Sequence, residues 1–531
     1  MKARKSTHSW LAGVVVLYAL LAAAYFVLRY EGRWSDYDTA NLTKTIVVTD
    51  QRGQLSHWAS YSWGFSYAAL STFIMMATGL DVIRLQFLVY PIAAAGLSLV
   101  AFVMYRQLTG DAYAGILATL FLFMQPDFLF VIFRGSHEKI TWLMVVLAVF
   151  LLARSFGAMH RLSRFSAYVG LFYLALYALI ADSAFFGSSF IAAVGVSLAA
   201  GLVMLGLVRR KGGERARSRE LLRLVYVIIA AAVLWFWHTF YLYPPAMRFI
   251  AEANTTTEQV ATMALNMSRR QWEPKFNPYA TVSWGWVSMP AYWALVLPSF
   301  MVGGGAFLVW IMAGIRHVRR KENLFDEPPR LLLWLLYGGF GLQFAASLLV
   351  ANVGGAAGNL QVRMFPALML FSMAMVARPL VPWWHAQARR PARVGLAIVL
   401  ALLLAWASGA SLLKATNDPA LSNYWMFLTA SEVKGVAWVE DHVRYGYVWL
   451  GLDAIRISSR VAAESFGALS GNRYDFWRAD QGVRDVLIPD TEEQLSVRRS
   501  APLPDVQGEN RVYHNGSVAH YHYLPRTPYQ R

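Results

Sequence analysis

Long apolar blocks separated by short polar connections run through most of the sequence. A helix rises about 1.5 Å per residue, so about 20 apolar residues are needed to cross roughly 30 Å of hydrocarbon. The apolar segment 67–79 is too short for this and is expected to lie in the interface or to re-enter. The other blocks predict a polytopic α-helical membrane protein with eleven transmembrane helices, at residues 9–29, 85–105, 113–133, 140–152, 167–180, 190–208, 224–242, 291–315, 331–349, 362–375 and 394–413.

Lysine and arginine residues occur in every second connection, which predicts the orientation. The segment 1–8 is basic, and five further basic clusters follow the second, fourth, sixth, eighth and tenth spans. Positive residues favour the cytoplasmic side, so we expect a cytoplasmic N-terminus and an extracytoplasmic C-terminus in a plasma or inner membrane. The first apolar run is too long for a signal peptide and is expected to stay as a membrane helix. Long external loops then fall at 30–84 and 243–287.

Composition supports this interpretation and excludes several others. Hydrophobic residues make up 57% of the chain and charged residues only 15%, whereas about a quarter is usual in soluble proteins. The net charge of +17 does not indicate nucleic acid, because the basic residues lie in the connections, where contact with anionic membrane lipids is expected. The chain has no cysteine, which excludes disulfides, iron–sulfur centres and thiol nucleophiles.

The last part of the chain is polar and contains no further span. A helical pattern at 432–442 is followed by buried-strand patterns at 447–453 and 483–488, and by a hairpin pattern at 511–523 around Asn515-Gly516. We therefore predict a membrane domain at 1–414 and a small extracytoplasmic α+β domain at 415–531.

Two carboxylates lie directly after the first span, in the segment Ser35-Asp36-Tyr37-Asp38. One interpretation is structural, with Asp38 at the start of a surface helix or in a solvated turn. The other is chemical, because a carboxylate at the membrane surface can accept the proton of an attacking hydroxyl. Two carboxylates this close can also share a divalent cation, so Mg²⁺ or Mn²⁺ stays open as a cofactor.

Further charged residues lie at the expected outer ends of the spans. Each alone is adequately explained as an interface anchor, but a set with both signs on one face indicates a site. Arginine and lysine can neutralise a phosphate. The histidine and acidic members can bind a metal or transfer a proton, although the His-Glu-Lys order lacks the second histidine of a zinc-protease helix. The set comprises Arg134, His137, Glu138, Lys139, Asp182, Arg269, Arg270 and Arg363.

In these features the chain resembles the GT-C superfamily of membrane glycosyltransferases, which take sugars from polyprenyl-phosphate or polyprenyl-diphosphate carriers. The shared layout is a first helix followed by an external loop with an acidic motif, a long external loop after the seventh span, and a soluble domain at the outer side. The resemblance implies that Asp36 or Asp38 is catalytic, with Asp36 the first choice. It also implies donor phosphate binding by basic residues of later external loops, here Arg134, Lys139, Arg269, Arg270 and Arg363.

The expected function is therefore inverting sugar transfer, on the extracytoplasmic face, from a polyprenyl-phosphate-linked donor to a glycan, lipid or protein acceptor. The Trp-Trp-Asp signature of oligosaccharyltransferases and the His-Pro-Asp-Glu motif of some mannosyltransferases are absent, so no particular sugar is indicated.

Three alternatives stay open. The first is an O-antigen-ligase-like enzyme that uses a diphosphate donor. The second is a transporter or flippase of lipid-linked sugars, which would need ionisable residues inside spans that look nearly free of charge. The third is a non-catalytic assembly protein.

Overall fold

The structure is a computed structural model that describes most of the membrane-embedded part and selected segments beyond it. Asp36, Arg269 and Arg270 lie outside the described residues. The described residues are 9–33, 37–55, 64–158, 161–209, 215–243, 247, 255, 258, 261, 262, 265, 289–319, 327–350, 360–386, 390–415, 430–442, 447–449, 473–475, 485–489, 510–516 and 518–522.

Helices account for nearly all of the described chain before residue 416. They are α1 (Ser9–Tyr30), α2 (Tyr37–Arg52), α3 (Ser66–Thr78), α4 (Val82–Thr109), α5 (Ala112–Leu122), α6 (Pro126–Phe133), α7 (Glu138–Ala158), α8 (Leu162–Asp182), α9 (Ala184–Arg209), α10 (Arg215–Trp237, continued by a π-helical turn at His238–Leu242), α11 (Met289–Val318), α12 (Pro328–Val350), α13 (Leu360–Ala386) and α14 (Arg390–Ala415).

The predicted spans are confirmed, with one difference in shape. Among the described residues, ten helices are long and apolar enough to cross a bilayer, and the pair α5–α6 makes an eleventh if it serves as one span. The fourth and tenth spans are longer than predicted, because α7 and α13 continue past the apolar stretches into polar ends. The apolar segment 67–79 forms the short helix α3. The chain is an integral membrane protein.

The third predicted span, 113–133, is broken rather than continuous. The axes of α5 and α6 meet at 73°. Pro126 follows the break, where it has no N–H to continue the hydrogen-bond ladder of α5. The hydroxyl of Ser411, on α14, donates a hydrogen bond to the backbone oxygen of Met124. A side chain from another helix thus satisfies a carbonyl that would otherwise be exposed to the apolar interior.

The core lies between α4, α5, α7, α9, α12 and α13. The hydroxyl of Tyr105 donates to the backbone oxygen of Leu370 at 2.6 Å, which ties α4 to α13 across the core. On α12, Gly339 lets the helix approach α9 so closely that an added Cβ would stand 2.6 Å from the backbone oxygen of Ala193. In contrast, Ile398 and Leu402 of α14 are more than half exposed, as expected of side chains that face lipid.

The segment predicted to be the first external loop, residues 30–84, contains α2 and α3, which pack against each other and against the start of α4. Leu42 and Ile46 of α2 are buried against Tyr67 and Ala68 of α3 and Leu85 of α4. Asp38 is in the first turn of α2. The interpretation in which Asp38 begins a surface helix therefore matches its position, and this placement does not exclude a chemical role.

After the membrane part, the described segments form helix α15 (Ala430–His442) and one five-stranded sheet. The strands are β1 (Tyr447–Trp449), β2 (Arg473–Asp475), β3 (Asp485–Pro489), β4 (Asn510–His514) and β5 (Val518–His522). Their order is β2-β1-β3-β5-β4, with β1 parallel to β2 and β3, and with β5 antiparallel to β3 and β4.

The sheet confirms most of the predicted pattern. The hairpin turns at Asn515-Gly516, where Gly516 has a φ of +92°. The first predicted strand is described only at 447–449, and β2 was not predicted because its three residues show no apolar alternation. The domain boundary at 414/415 stays a prediction.

Replacing Gly339 by alanine should destabilise the bundle. The new methyl would collide with the Ser197 side chain and with the backbone oxygen of Ala193, and a backbone atom cannot move aside cheaply. Overpacking of this kind costs about 1–3 kcal/mol. Gly170→Ala is the matched control, since an added Cβ there meets nothing within 4 Å and alanine favours a helix. Thermal unfolding in detergent should show a lower midpoint for Gly339→Ala only; equal midpoints would contradict the close approach of α9 and α12.

Candidate active site

Polar side chains from three parts of the fold meet at one end of the bundle. The start of α2 brings Asp38, the α6–α7 connection brings Arg134 and its neighbours, and the start of α13 brings Arg363. They surround a cleft whose empty volume, including the part open to solvent, is about 540 Å³. The lining residues are Asp38, Asp127, Phe130, Val131, Arg134, Glu138, Trp142, Phe186, Arg363 and Pro366.

Arg134 is the centre of a buried ion-pair cluster. Its Nη2 lies 3.0 Å from Oδ2 of Asp38 and also contacts Oε2 of Glu138, to which its Nε donates at 2.9 Å. The Nε also donates to the Ser136 hydroxyl at 3.1 Å. The side chains of Arg134 and Glu138 are only 6% and 5% exposed, and that of Asp38 is 18% exposed. One guanidinium therefore holds two carboxylates, and only Asp38 keeps substantial access to solvent.

The connection that carries Arg134 is held rigid by Lys139. The ammonium of Lys139 donates to the backbone oxygens of Arg134 and Ser136, each at 2.6 Å. It also stands 5.4 Å and 5.3 Å from the ring centres of Tyr67 and Tyr90, within the range of cation–π attraction. Lys139 was predicted to bind phosphate, but the structure places its ammonium on the backbone of the turn and not on the lining of the cleft.

Gln86 ties α2 to the same connection. It accepts a hydrogen bond from the Thr43 hydroxyl at 2.8 Å and donates to the backbone oxygen of Gly135 at 3.3 Å. Gly135 leaves no room for a side chain, since an added Cβ would lie 2.6 Å from a methyl carbon of Thr39. This close contact and the bridge through Gln86 set the position of the first turn of α2, and with it the position of Asp38.

Asp182 and His137 lie behind the cleft rather than on its lining. Asp182 accepts hydrogen bonds from the hydroxyls of Ser66, at 3.0 Å, and Thr141. The backbone of Phe65 also donates to the oxygen of Ala181 at 2.8 Å. The bonds from Ser66 and Phe65 fasten the first loop to the end of α8, and the bond from Thr141 joins α7 to α8. The acidic end of the fifth span therefore has a structural use in anchoring this loop.

The charges around Asp38 determine its protonation. Burial by itself raises the pKa of the Asp38 carboxyl, but Arg134, Arg363 and His137 together outweigh it and hold that pKa below its ordinary value. For His137, burial lowers the pKa, and Arg134 and Lys139 act in the same direction against the opposing effect of Asp182 and Asp38. At neutral pH the structure thus favours an ionised Asp38 beside a neutral imidazole.

Asp127 is a lining residue that the sequence analysis did not single out. It is half-buried in the first turn of α6, just after the break in the third span, and it interacts electrostatically with Lys414 at the end of α14. The third span thus contains a carboxylate, although the spans were predicted to be nearly free of charge. An aspartate inside an apolar block, directly after a proline, is a signal that would have found it, because ionisable residues within spans usually mark functional sites.

The predicted site residues therefore separate into three groups. Asp38, Arg134, Glu138 and Arg363 line one cleft, whereas Lys139, His137 and Asp182 support it from behind. The third group, Asp36, Arg269 and Arg270, lies outside the described residues. Among the residues that the structure describes, no three His, Asp or Glu side chains form a group that could hold a metal ion.

Replacing Arg134 by methionine should destabilise the protein and make its stability depend on pH in a specific direction. Removing one partner of a buried ion pair costs about 3 kcal/mol or more, because the carboxylates lose their counter-charge. In wild type, the lowered pKa of Asp38 means that its stabilising effect is complete above the ordinary carboxyl range and is lost as the pH falls. The variant lacks the largest of the effects that oppose burial, so the pKa of Asp38 should be higher than in wild type.

The stability difference between wild type and Arg134→Met should accordingly shrink as the pH is lowered from about 7 to about 4.5. Thermal unfolding in detergent measures it. Arg154→Met is the control, since Arg154 is exposed and bonds only neutral groups, Gln107 and Tyr168, among the contacts resolved here. A pH-independent difference for Arg134→Met would contradict the ion-pair account.

No protein-family model and no curated protein sequence matches the chain. Solved structures do match in fold. The oligosaccharyltransferase of Archaeoglobus fulgidus in its apo form aligns over 94% of this chain and 72% of its own, with a TM-score of 0.56 and 12% identity. The same archaeal enzyme, AglB, in complex with an inhibitory peptide and a dolichol-phosphate aligns over 92% and 70%, with a TM-score of 0.54 and 12% identity.

A bacterial protein matches along nearly its whole length. ArnT from Cupriavidus metallidurans, in the apo state, aligns over 97% of this chain and 98% of its own, with a TM-score of 0.50 and 14% identity. Both proteins are GT-C glycosyltransferases. This chain therefore shares the overall fold of these two proteins.

Proposed function

We propose that this protein is an integral-membrane glycosyltransferase that moves a sugar from a polyprenyl-phosphate-linked donor to an acceptor hydroxyl at the extracytoplasmic face. The observation that carries the proposal is the cleft in which the Asp38 carboxylate, Arg134 and Arg363 face one another. It lies at one end of a membrane bundle with the GT-C fold. A base and cations in one half-buried cleft are the groups that such a transfer requires.

A lipid-linked donor is supported by the neighbour AglB, whose structure contains a dolichol-phosphate. The apolar part of the lining, with Phe130, Val131 and Trp142, is suited to the first units of an isoprenoid tail. The adjoining positive charges of Arg134 and Arg363 are suited to its phosphate. This arrangement would place the bond between sugar and phosphate near Asp38.

The charge of the cleft favours a donor with one phosphate over a diphosphate. Three carboxylates and two guanidiniums line it, and Lys414 lies close enough to Asp127 to offset one carboxylate. The net charge of the described groups at the cleft is therefore close to zero. A singly charged phosphodiester is accommodated more readily by such a cleft than a diphosphate, which would bring more negative charge. This argues against the O-antigen-ligase-like alternative.

In the proposed step, the acceptor oxygen attacks the anomeric carbon from the face opposite the phosphate, so the configuration is inverted. Asp38 takes the proton from that oxygen as the new C–O bond forms. The bond between the anomeric carbon and the phosphate oxygen breaks, and its electron pair stays on the phosphate. Negative charge grows on the phosphate during the step, so the preorganised guanidiniums stabilise the transition state more than the bound donor.

Arg363 is assigned the principal phosphate contact. Arg363 lines the cleft at the start of α13, 5.5 Å from the ring centre of Phe185, and its charge acts on the Asp38 carboxyl, whereas the Arg134 guanidinium lies between Asp38 and Glu138. Arg134 then acts mainly as a positioning residue, which keeps Asp38 ionised and directed into the cleft. Asp36 was the first choice for the base from sequence, and it is tested in parallel because it lies only two residues away.

A transporter of lipid-linked sugars is the second candidate. The observation that favours it is the interaction of Asp127 with Lys414, an ionisable pair at a break within a span, which a transport mechanism would need. The pair borders the same cleft, so both candidates share the lipid-linked ligand. They differ in whether a glycosidic bond is formed.

Asp38→Asn should abolish transfer while leaving donor binding intact. Loss of a general base lowers the rate by about 10²–10⁴-fold, and the amide keeps the size of the side chain. The measurement is sugar transfer from short-chain polyprenyl-phosphate sugars by the purified protein, with donor binding followed by native mass spectrometry. Asp50→Asn, on an exposed position of the same helix, is the control and should keep wild-type activity.

Asp36→Asn distinguishes the two carboxylates. A large loss in Asp36→Asn with near-normal rates in Asp38→Asn would move the base to Asp36 and contradict the assignment made here. Donor binding without any transfer by wild type, together with movement of the lipid across vesicles, would favour the transport candidate.

A further inference from the structure

A second cleft lies between α11, α12 and α13, at the opposite end of the bundle from the candidate active site. Arg378 lines it and lies 15 positions after Arg363 on α13, which corresponds to about 22 Å along a helix. Its empty volume, including the part open to solvent, is about 1100 Å³. Its lining includes Val309, Met312, Arg316, Arg330, Leu333 and Arg378. The predicted topology places this end at the cytoplasmic surface.

One wall of this cleft is built from two interlocked tryptophans. The indole N–H of Trp334 donates to the backbone oxygen of Trp310, and that of Trp310 donates to the backbone oxygen of Trp334, each at 3.0 Å. Their rings stack with centroids 5.1 Å apart. Gly338 lets the pair fit between the helices, since an added Cβ would be 3.3 Å from the Trp310 ring. The wall joins α11 to α12 and needs no ligand to hold its shape.

The lining changes from charged to apolar along the cleft. Arg316 lies in the last turn of α11 and Arg330 near the start of α12, so both lie at helix ends, where the bundle meets water. Val309, Met312 and Leu333 lie further along the same helices, toward the middle of the membrane part. Glu327 contacts Arg378 at the rim and is more than half exposed. In the sequence, residues 316–330 contain five Lys or Arg and three Asp or Glu, and Arg378 adds a further positive charge, so this part of the chain has a positive excess.

We propose that this cleft binds an anionic glycerophospholipid, independently of the sugar transfer proposed above. Its phosphate would contact Arg316, Arg330 and Arg378, and one acyl chain would lie along the apolar residues of α11 and α12. A free phosphate would use the arginines but leave the apolar part of the lining uncovered. A zwitterionic lipid would add a cation to a mouth that is already positive. The ligand class is thus a membrane lipid with a net negative headgroup.

The test is native mass spectrometry of the full chain in detergent, titrated with phosphatidylglycerol, phosphatidylcholine or inorganic phosphate. One phosphatidylglycerol should bind more tightly than phosphatidylcholine. Each basic residue near a membrane surface contributes roughly a factor of five to attraction of anionic lipid. The double variant Arg316→Gln/Arg330→Gln should therefore weaken phosphatidylglycerol binding by about 25-fold. It leaves the contact between Arg378 and Glu327 in place.

The matched control is Arg164→Gln/Arg319→Gln, which removes two exposed charges from the same end of the bundle but outside the cleft. It should bind phosphatidylglycerol like wild type. A further variant, Glu327→Gln, removes the carboxylate at the rim and should strengthen binding several-fold, a gain that misfolding cannot produce.

Equal loss in the control and the cleft variant would show binding to general surface charge and would overturn the proposal. Tight binding of inorganic phosphate, with no preference for phosphatidylglycerol over it, would also overturn it and indicate a site for a soluble phosphate.

Discussion

The contact of Arg134 with Asp38 and Glu138 is the interaction on which the candidate site depends. A single guanidinium offers several N–H groups in a fixed plane, so it can hold two carboxylates at once. All three side chains are removed from water for most of their surface, which makes each charge costly to leave without its partner. The cluster therefore selects one arrangement of α2, α6 and α7, and that arrangement leaves Asp38 at the cleft.

Contacts in the surrounding structure hold the elements that carry this cluster in place. Lys139 donates hydrogen bonds to backbone carbonyls of the turn, and Gln86 links the turn to α2. Asp182 fastens the first loop to α8. The break between α5 and α6 gives the chain room to bring Arg134 inward from the membrane end. Its cost is reduced by the Ser411 hydroxyl, which bonds a carbonyl of the break. Supporting residues of this kind make a charged site compatible with a membrane interior.

Much of this organisation could be predicted from sequence, because lipid imposes simple rules. The length of each apolar block yielded the predicted spans, and the alternation of basic connections predicts the side of the membrane on which Asp38 lies. The contacts that individual side chains make were harder to predict from the sequence. The sequence of residues 134–139 is the same whether the Lys139 ammonium contacts a phosphate or two backbone oxygens. Only the folded structure distinguishes these contacts. Asp127 was overlooked because one carboxylate barely changes the mean hydropathy of a span, although the proline directly before it indicates the break.

The most direct test of the central claim is a cryo-electron microscopy structure of the full chain with a non-transferable polyprenyl-phosphate sugar analogue. The account predicts its phosphate within hydrogen-bond distance of Arg363, the anomeric carbon facing the Asp38 carboxylate, and Arg134 still in contact with Asp38. A phosphate bound at the opposite end of the bundle, or a sugar held away from Asp38 with the contact to Arg134 broken, would contradict it.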